Sequence, residues 1–402
     1  MSNTQKKNVP ELRFPGFEGE YSLDIFGNLA TNKSDKFNPQ NENASIDIEL
    51  DCIEQNTGRL IKIYNSKEFS SQKNKFNPQN VLYGKLRPYL NKYYFTKKSG
   101  VCSSEIWVLK STKEDKLLNL FLYYFIQTKR YSDVASKSAG SKMPRADWGL
   151  IENIRVYFPE LCEQQKIGEF FSKLDRQIEL EEQKLELLQQ QKKCYMQKIF
   201  SQELRFKDDN GNDYPEWEEK KLGELSQIVR GASPRPIKDP KWFNKESDIG
   251  WLRISDVTDQ NGKIYHLEQK LSIEGQEKTR VLLTTHLLLS IAASIGKPVM
   301  NFVKTGVHDG FLIFLNPKFN IFFMYYWLDY FKEKWSKYGQ PGSQVNLNSE
   351  IVKSQTLNMP SNHEQEKVGL FFGRNEKLIE LQQEKIMYLK RRKQALILKM
   401  FI

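Results

Sequence analysis

The chain has 402 residues, enough for roughly two to four domains of ordinary size. Hydrophobic residues make up 39% of it and aromatic residues 12%, which excludes a chain that lacks a folded core. Lys and Arg total 61 against 50 Asp and Glu, so the net charge of +11 favours a polyanionic partner. No apolar run reaches the about 18 residues of a membrane span, and the first residues carry no apolar signal core. We therefore expect a soluble, cytoplasmic protein.

The N-terminal half begins with a short motif and continues as a mixed domain. Residues 11–14 (ELRF) recur at 203–206. In the stretch 15–158, an apolar strand at 81–84 is predicted to enter the basic loop GKLRP, and an aromatic helix follows at 121–124. We expect this helix to be part of the core rather than a surface that stacks on bases. Because proline restricts the preceding residue, Arg87 is predicted to be extended and to display its side chain from a stiff backbone.

A long helix is predicted next, and it is repeated at the C-terminal end. Residues 163–171 (EQQKIGEFF) recur as 364–372 (EQEKVGLFF), an offset of 201 residues that holds to the end of both segments. Apolar residues recur at steps of three and four, which is the heptad pattern of a coiled coil. Two separate surface helices are the alternative, but both seams would then face water, so we predict an antiparallel pair. The predicted seam residues are Ile167, Phe171, Leu174, Ile178, Leu185 and Leu188 in the first helix and Val368, Phe372, Ile379, Ile386, Leu389 and Leu396 in the second.

The stretch between the two long helices repeats the order of the first block. A buried strand at 288–291, a Gly-Lys-Pro loop at 296–298 and an aromatic helix at 323–326 follow one another. The predicted fold class is therefore α/β (α+β), with two mixed domains, two long helices in an antiparallel coiled coil and a pseudo-two-fold internal repeat. The predicted boundaries are 1–14 for an N-terminal segment, 15–158 for the first domain, 159–206 for the first long helix, 207–359 for the second domain and 360–402 for the second long helix.

Catalytic and metal-binding motifs are missing from this pattern. The four cysteines and four histidines are scattered without metal-ligand or disulfide spacing. The Gly-Lys pairs lack the Ser or Thr that completes a phosphate-binding loop, and no nucleophile elbow occurs. The sequence thus predicts no catalytic residue and no metal.

Cations recur in matched loops of the two blocks, which indicates a nucleic-acid surface, although any one of them could be an ordinary solvated charge. Two different readers in one chain predict an asymmetric DNA site rather than a palindrome. Arg suits guanine, Gln and Asn suit adenine, and Lys suits phosphate. The candidate DNA contacts are Lys85, Arg87, Lys142 and Arg145 in the first block and Arg235, Lys297, Gln344 and Asn346 in the second.

The ELRF segments, the paired EQxK(I/V)GxFF helices and the Gly-Lys loops before proline resemble the specificity subunit of a type I restriction-modification system. The resemblance covers essentially the whole chain. It implies that the two blocks are target recognition domains for the 5′ and 3′ parts of a bipartite DNA site. It also implies that the coiled coil is a ruler and a docking surface for two methylation (M) subunits. The second block departs from the pattern, since it has GKP where the first has GKLRP.

The same resemblance assigns chemistry to partners. The M subunits would bind S-adenosylmethionine and methylate adenine, and two restriction (R) subunits would use ATP and Mg²⁺ to translocate and cleave DNA. This chain itself would bind no cofactor and have no active site. The sequence leaves two other functions open: a standalone DNA methyltransferase or nuclease with a cryptic active site, and a coiled-coil adaptor that binds only protein.

Overall fold

The structure, a computed structural model, describes residues 8–43, 45–137, 143–292, 294–338 and 347–402. The contacts between residues divide the chain into two units. The first comprises Met1–Glu182 with Glu384–Ile402, and the second comprises Gln183–Gln383. Each unit is a mixed α/β domain that packs on segments of both long helices.

The first unit carries three sheets and several short helices. Its strands are β1 (Ser22–Ile25), β2 (Ala30–Thr31), β3 (Lys36–Phe37), β4 (Ile46–Ile48), β5 (Tyr64–Asn65), β6 (Lys73–Phe76), β7 (Val81–Gly84), β8 (Tyr93–Phe95), β9 (Gly100–Cys102), β10 (Ile106–Ser111) and β11 (Arg155–Phe158). Its helices are α1 (Phe26–Leu29), α2 (Asn119–Phe125), α3 (Lys129–Ala135) and α4 (Trp148–Ile151), with 3₁₀ turns at Leu50–Cys52, Ser66–Glu68 and Pro88–Leu90. The long helix α5 (Leu161–Phe200) begins in this unit.

The second unit repeats this plan. Its strands are β12 (Glu218–Lys221), β13 (Gln227–Arg230), β14 (Gly250–Leu252), β15 (Lys263–Ile264), β16 (Arg280–Leu282), β17 (Leu287–Ser290), β18 (Pro298–Asn301), β19 (Thr305–Val307), β20 (Phe311–Leu315) and β21 (Thr356–Met359). Its helices are α6 (Leu222–Leu225), α7 (Ile254–Asp259), α8 (Ile273–Glu277), α9 (Ile321–Phe331) and α10 (Ser349–Ser354), with 3₁₀ turns at Pro240–Trp242 and Lys332–Tyr338. The long helix α11 (Asn362–Met400) begins here and ends in the first unit.

The sheets of the two units share a common core topology, although the second unit adds β15 to one sheet and has three strands where the first has five in another. The order β2-β10-β7-β8 of the first unit recurs as β13-β20-β17-β18 in the second, and the β1-β11 pair recurs as β12-β21. In each unit one more sheet contains a parallel pair, β4 with β9 and β14 with β19, and an antiparallel neighbour of the same strand. The predicted α/β fold with an internal repeat is confirmed.

The aromatic helices form the cores, as predicted. Residues 121–125 of α2 are all buried, and in α9 residues 323–328 are buried. They pack between the long helices and the sheet that contains β7 and β10 in the first unit or β17 and β20 in the second, because their clusters include Phe171 in the first unit and Phe372 in the second. An aromatic side chain removes a large apolar area from water, so these helices attach each domain to its coiled-coil segment.

The two long helices pair in an antiparallel sense within each unit. In the first unit, Lys393 of α11 pairs with Asp175 of α5, whereas Lys385 pairs with Glu181 further along. In the second unit, Lys192 of α5 pairs with Glu376 of α11. Numbering therefore rises in one helix as it falls in the other, and the alternative of two separate surface helices is wrong.

The predicted seam positions lie on the inner face of this pair. The buried ones are Ile167, Phe171, Leu174, Ile178, Val368, Phe372, Ile386 and Leu389. The partly buried ones are Leu185, Leu188, Ile379 and Leu396.

In each unit the ELRF segment contacts the start of the long helix that carries the EQxK(I/V)GxFF motif. This contact is a physical reason why the two motifs are repeated together. Arg13 of the first ELRF segment donates to the Glu163 carboxylate, with 2.7 Å between Nη2 and Oε2, and this carboxylate is only 1% exposed. Arg205 of the second ELRF segment pairs with Glu364 at 3.0 Å. A buried carboxylate is tolerated only when it is paired, so each long helix requires the arginine of its short motif.

The glutamine that follows each of these glutamates fastens the start of its helix. Gln164 Nε2 donates to the Pro159 carbonyl and Gln365 Nε2 to the Pro360 carbonyl, both at 2.8 Å. The amide oxygens of the two glutamines accept from the backbone at the start of the aromatic helices, at Leu118 and Asn320. One side chain thus connects a long helix to its recognition domain in both units.

Candidate nucleic-acid interface

The structure brings together three of the four cations predicted in the first domain. The loop after β7 pairs with the segment before α4, because the Arg87 amide donates to the Pro144 carbonyl and the Ala146 amide donates to the Lys85 carbonyl, both at 2.8 Å. Lys85, Arg87 and Arg145 therefore lie on two adjacent backbone segments. Lys142 lies outside the described residues.

The backbone of Arg87 differs from the prediction. Its φ of 53° and ψ of 61° place it in the left-handed region, not in the extended region. Proline disfavours the right-handed helical region for the residue before it, and the left-handed region also satisfies that restriction. Arg87 adopts it because it caps the 3₁₀ turn that starts at Pro88, where its carbonyl accepts from the Leu90 amide. The side chain is exposed and, among the described residues, makes no hydrogen bond or ion pair.

Arg145 is held by an acid from a different turn. Its Nε and Nη2 donate to the two carboxylate oxygens of Glu105, at 3.0 and 3.2 Å. The hydrogen bonds and charge of this carboxylate raise the pKa of Arg145. The backbone carbonyl of Glu105 also accepts from the Lys85 amide at 3.0 Å, so one residue orients both cations.

A groove of about 590 Å³ lies beside this pair. Its walls combine cations, which suit a phosphate backbone, with two indole rings and Asp147, the acid that caps α4. The lining residues are Lys85, Trp107, Lys137, Arg145, Ala146, Asp147, Trp148 and Leu150.

The second domain presents its cations around Asp309. Arg235 Nη2 donates to Asp309 Oδ2 at 2.8 Å, and the Arg235 side chain is 77% exposed. Arg230 Nε donates to the Asp309 carbonyl at 2.6 Å. The Ile291 amide donates to the Gly310 carbonyl, so the loop that carries Lys297 is adjacent to this turn.

Lys297 is less available than Arg235. Its Nζ lies 3.3 Å from Asn261 Oδ1, and burial together with the nearby Lys332 lowers its pKa, although Asp329 opposes that shift. Gln344 and Asn346 lie outside the described residues.

Several residues of this surface were not among the predicted contacts. Glu105 and Asp309 orient the two arginines, and Arg280 donates from Nε to the Arg230 carbonyl at 2.8 Å. The available signal was an acid in the short turn before a buried strand of each domain. Its partner could not be inferred, because the arginine comes from another part of the chain.

Within the described ranges, no group of three or more His, Cys, Asp and Glu side chains could hold a metal ion. No helix in the described part of the chain combines the length and apolar character needed to cross a membrane.

The sequence model of the type I restriction modification DNA specificity domain matches residues 20–190 and 214–391. The chain belongs to this family. It is 26% identical over 310 residues to the MjaVIII specificity subunit of a type I restriction enzyme from Methanocaldococcus jannaschii, an alignment that spans 72% of this chain and 71% of that one. It is 25% identical over 169 residues to the EcoDI specificity subunit from Escherichia coli, 40% of this chain and 37% of the relative.

Solved structures of type I systems share the fold. One chain, from work on complex assembly and conformational transition of the type I R-M system, superposes with a TM-score of 0.60 at 17% identity and covers 94% of this chain and 96% of its own. The S subunit from M. genitalium superposes with a TM-score of 0.56 at 14% identity, with 98% and 99% covered.

Membership in this family fixes the general role of the chain. A specificity subunit supplies the DNA sequence specificity of a type I restriction-modification system and is not itself catalytic. It binds no cofactor, and its partners are DNA and the M and R subunits. The standalone enzyme and the adaptor that binds only protein are not favoured.

Proposed function

We propose that the chain reads an asymmetric, bipartite DNA site, with residues 15–158 specific for the 5′ part and residues 207–359 for the 3′ part. One observation carries the proposal: two domains with equivalent sheets, β2-β10-β7-β8 and β13-β20-β17-β18, present exposed arginines at the same turn of that sheet, but from different loops. Two domains with equivalent sheets but different arginine-bearing loops suit two different half-sites. The segments 159–206 and 360–402 would set the distance between them.

The contacts we propose divide by chemistry. Arg87, Arg145 and Arg235 are exposed guanidinium groups that can pair with the two acceptors of a guanine in the major groove. Lys85 and Lys297 would hold phosphate, because an ammonium is a point charge without a fixed fork. Lys142, Gln344 and Asn346 remain proposed contacts of the same surface.

We infer two M subunits and two R subunits in the complex, because the internal repeat offers each type of partner two equivalent surfaces. In the second unit, an exposed groove of about 520 Å³ beside α11 has apolar walls that include Phe322, Gly369 and Leu370. The M subunits would bring S-adenosylmethionine and the R subunits ATP and Mg²⁺. With chromosomal DNA as its partner, the complex would be cytoplasmic.

The test is to express the chain with its partner subunits and to sequence the methylated bases of the host DNA. The expected result is one class of bipartite site with two different halves. A second strain carries a chimera in which residues 15–158 are replaced by the equivalent block of a relative with a known, different site. Only the half read by the first domain should then change.

The reciprocal chimera at residues 207–359 is the matched control, and it should change only the other half. If either chimera altered both halves, the assignment of one domain to each half would be wrong. A methylated site that is a palindrome without a gap would contradict the bipartite proposal.

A further inference from the structure

An acid occupies the same place in both recognition domains. Glu105 directly precedes β10 and Asp309 lies in the turn before β20. These two strands hold the same position in the equivalent sheets β2-β10-β7-β8 and β13-β20-β17-β18. Each carboxylate binds the guanidinium group of an arginine from another loop, Arg145 from the segment before α4 and Arg235 from the segment after β13.

We propose that Glu105 and Asp309 are positioning residues that aim these arginines at a base and so determine sequence specificity at one base pair in each half-site. The inference rests on the proposed function, in which Arg145 and Arg235 face DNA. It adds that the base chosen depends on acids that do not touch the DNA themselves.

The geometry at Arg145 leaves one edge of the guanidinium for DNA. Glu105 accepts from Nε and Nη2, the side edge of the group. Nη1 and the second proton of Nη2 point away from that edge. These two donors match the O6 and N7 acceptors of guanine, which a bidentate arginine reads in the major groove.

Asp309, which binds Arg235, is itself held in place by a hydrogen bond from Ser233. Its Oδ1 accepts from the Ser233 hydroxyl at 2.8 Å, while Oδ2 accepts from Arg235. Burial alone would raise the pKa of Asp309, but the Ser233 hydrogen bond and the nearby His308, Arg235 and Arg230 lower it. The acid is therefore ionised at neutral pH and holds one corner of the guanidinium.

Stability does not account for these pairs. The Arg145 side chain is 49% exposed, and exposed ion pairs contribute little to folding free energy. Their effect on binding is larger, because a free arginine must lose side-chain rotamer freedom when it docks on a base. A carboxylate next to DNA also repels phosphate, so it disfavours complexes in which the arginine does not engage its base.

The experiment uses the chain assembled with its partner subunits. DNA affinity is measured for the cognate site, for each single-base-pair variant of it and for unrelated DNA, with Glu105→Gln, Arg145→Ala and the double variant. Glu105→Gln should lower discrimination at one base pair of the first half-site by about tenfold, in the range of a lost bidentate contact. Affinity for unrelated DNA should stay equal or rise, because a negative charge is removed.

Arg145→Ala should lose discrimination at the same base pair, and the double variant should be no worse than Arg145→Ala. Asp309→Asn and Arg235→Ala should act in the same way on the second half-site. Glu218→Gln is the matched control, since it removes a carboxylate from another exposed ion pair, with Lys220, and should change neither profile.

Three results would count against the inference. If Arg145→Ala changed base discrimination and Glu105→Gln did not, the positioning role would fail while the proposed DNA surface stood. If neither arginine variant changed discrimination, the DNA contacts of the proposed function would fail as well, and the positioning role with them. A uniform loss of affinity at every base pair would indicate a structural role and would also count against the inference.

Discussion

The long helices and the recognition loops repeat in different ways. In the helices the same ion pair recurs at equivalent positions: Lys393 pairs with Asp175 in the first unit at 2.6 Å, and Lys192 pairs with Glu376 in the second at 2.8 Å. Both lysines are polar breaks at the same place in the two apolar seams. Each acid also accepts from a tyrosine of the aromatic helix, Tyr124 at 3.0 Å and Tyr326 at 2.8 Å.

The recognition loops repeat only in plan. Both domains pair an acid before a central strand with an exposed arginine, but the arginine comes from opposite ends of the domain sequence. The residue that precedes the loop proline also differs: it is the exposed Arg87 in the first domain and the partly buried Lys297 in the second. The long helices therefore depend on equivalent contacts at matched positions, whereas the DNA surface depends only on where a charge is presented.

The largest effect is expected when the arginine is removed from each ELRF motif, because this arginine pairs with the buried glutamate of the long helix. Arg13→Ala leaves the buried Glu163 carboxylate without its cation, and Arg205→Ala does the same to Glu364. We expect each to lower the free energy of unfolding by about 3–5 kcal/mol, the cost of an unpaired buried charge. Denaturant unfolding of the full chain measures this effect.

The control for that pair is Arg176→Ala, which breaks an exposed pair with Glu179 and should cost less than about 1 kcal/mol. Equal losses of unfolding free energy in the two motif variants would support equivalent roles for the two Arg–Glu pairs. If either motif variant lost no more unfolding free energy than Arg176→Ala, the Arg–Glu pair of that unit would not stabilise its long helix as proposed.

A smaller difference is expected at the lysines of the seam. Lys393→Met leaves Asp175 with the hydrogen bond from the Tyr124 hydroxyl, whereas Lys192→Met leaves Glu376 with a second cation, Lys263. We expect about 2 kcal/mol for the first and about half of that for the second, on the scale of hydrogen bonds to charged groups. Unfolding curves of the two variants under identical conditions test the ranking, and the reverse order would refute it.

The DNA surface should respond unequally at the two Pro-preceding cations. Arg87→Ala removes an exposed guanidinium and should weaken specific DNA binding about tenfold, or about 1.4 kcal/mol. Lys297→Ala removes a partly buried ammonium and should weaken it by less than about threefold. Binding of the assembled complex at two salt concentrations checks both, and equal losses would show that exposure does not decide the contribution.

The smallest expected effect is a pH dependence of stability in the second unit. Burial would raise the pKa of Glu376, but Lys192 and Lys263 lower it below the usual 4.5. A lowered folded-state pKa contributes stability that is present above about pH 4.5 and is lost as the pH falls through the folded value. The difference in unfolding free energy between wild type and Lys192→Met should thus shrink in acid, and a constant difference from pH 7 to pH 3 would contradict this.

Local patterns in the sequence were enough to predict the long helices, the two equivalent domains and their aromatic cores. The 201-residue repeat, the heptad seam and the apolar aromatic segments predicted paired helices, equivalent domains and buried aromatic cores, and the structure confirms these. They could be predicted because hydrophobic periodicity dictates which face of a helix leaves water. The family resemblance rests on the same motifs, whose arginine and glutamate contact each other.

The tertiary structure alone decided the candidate DNA surface. Lys85 and Arg87 meet Arg145 only because two loops pair across the edge of the domain, and Glu105 reaches Arg145 from a third segment. The left-handed backbone of Arg87 likewise follows from the turn that it caps. A local pattern specifies the burial of a segment, but the meeting of distant loops depends on the topology and register of the whole sheet, so no short stretch of this sequence could specify which cation stands beside which acid.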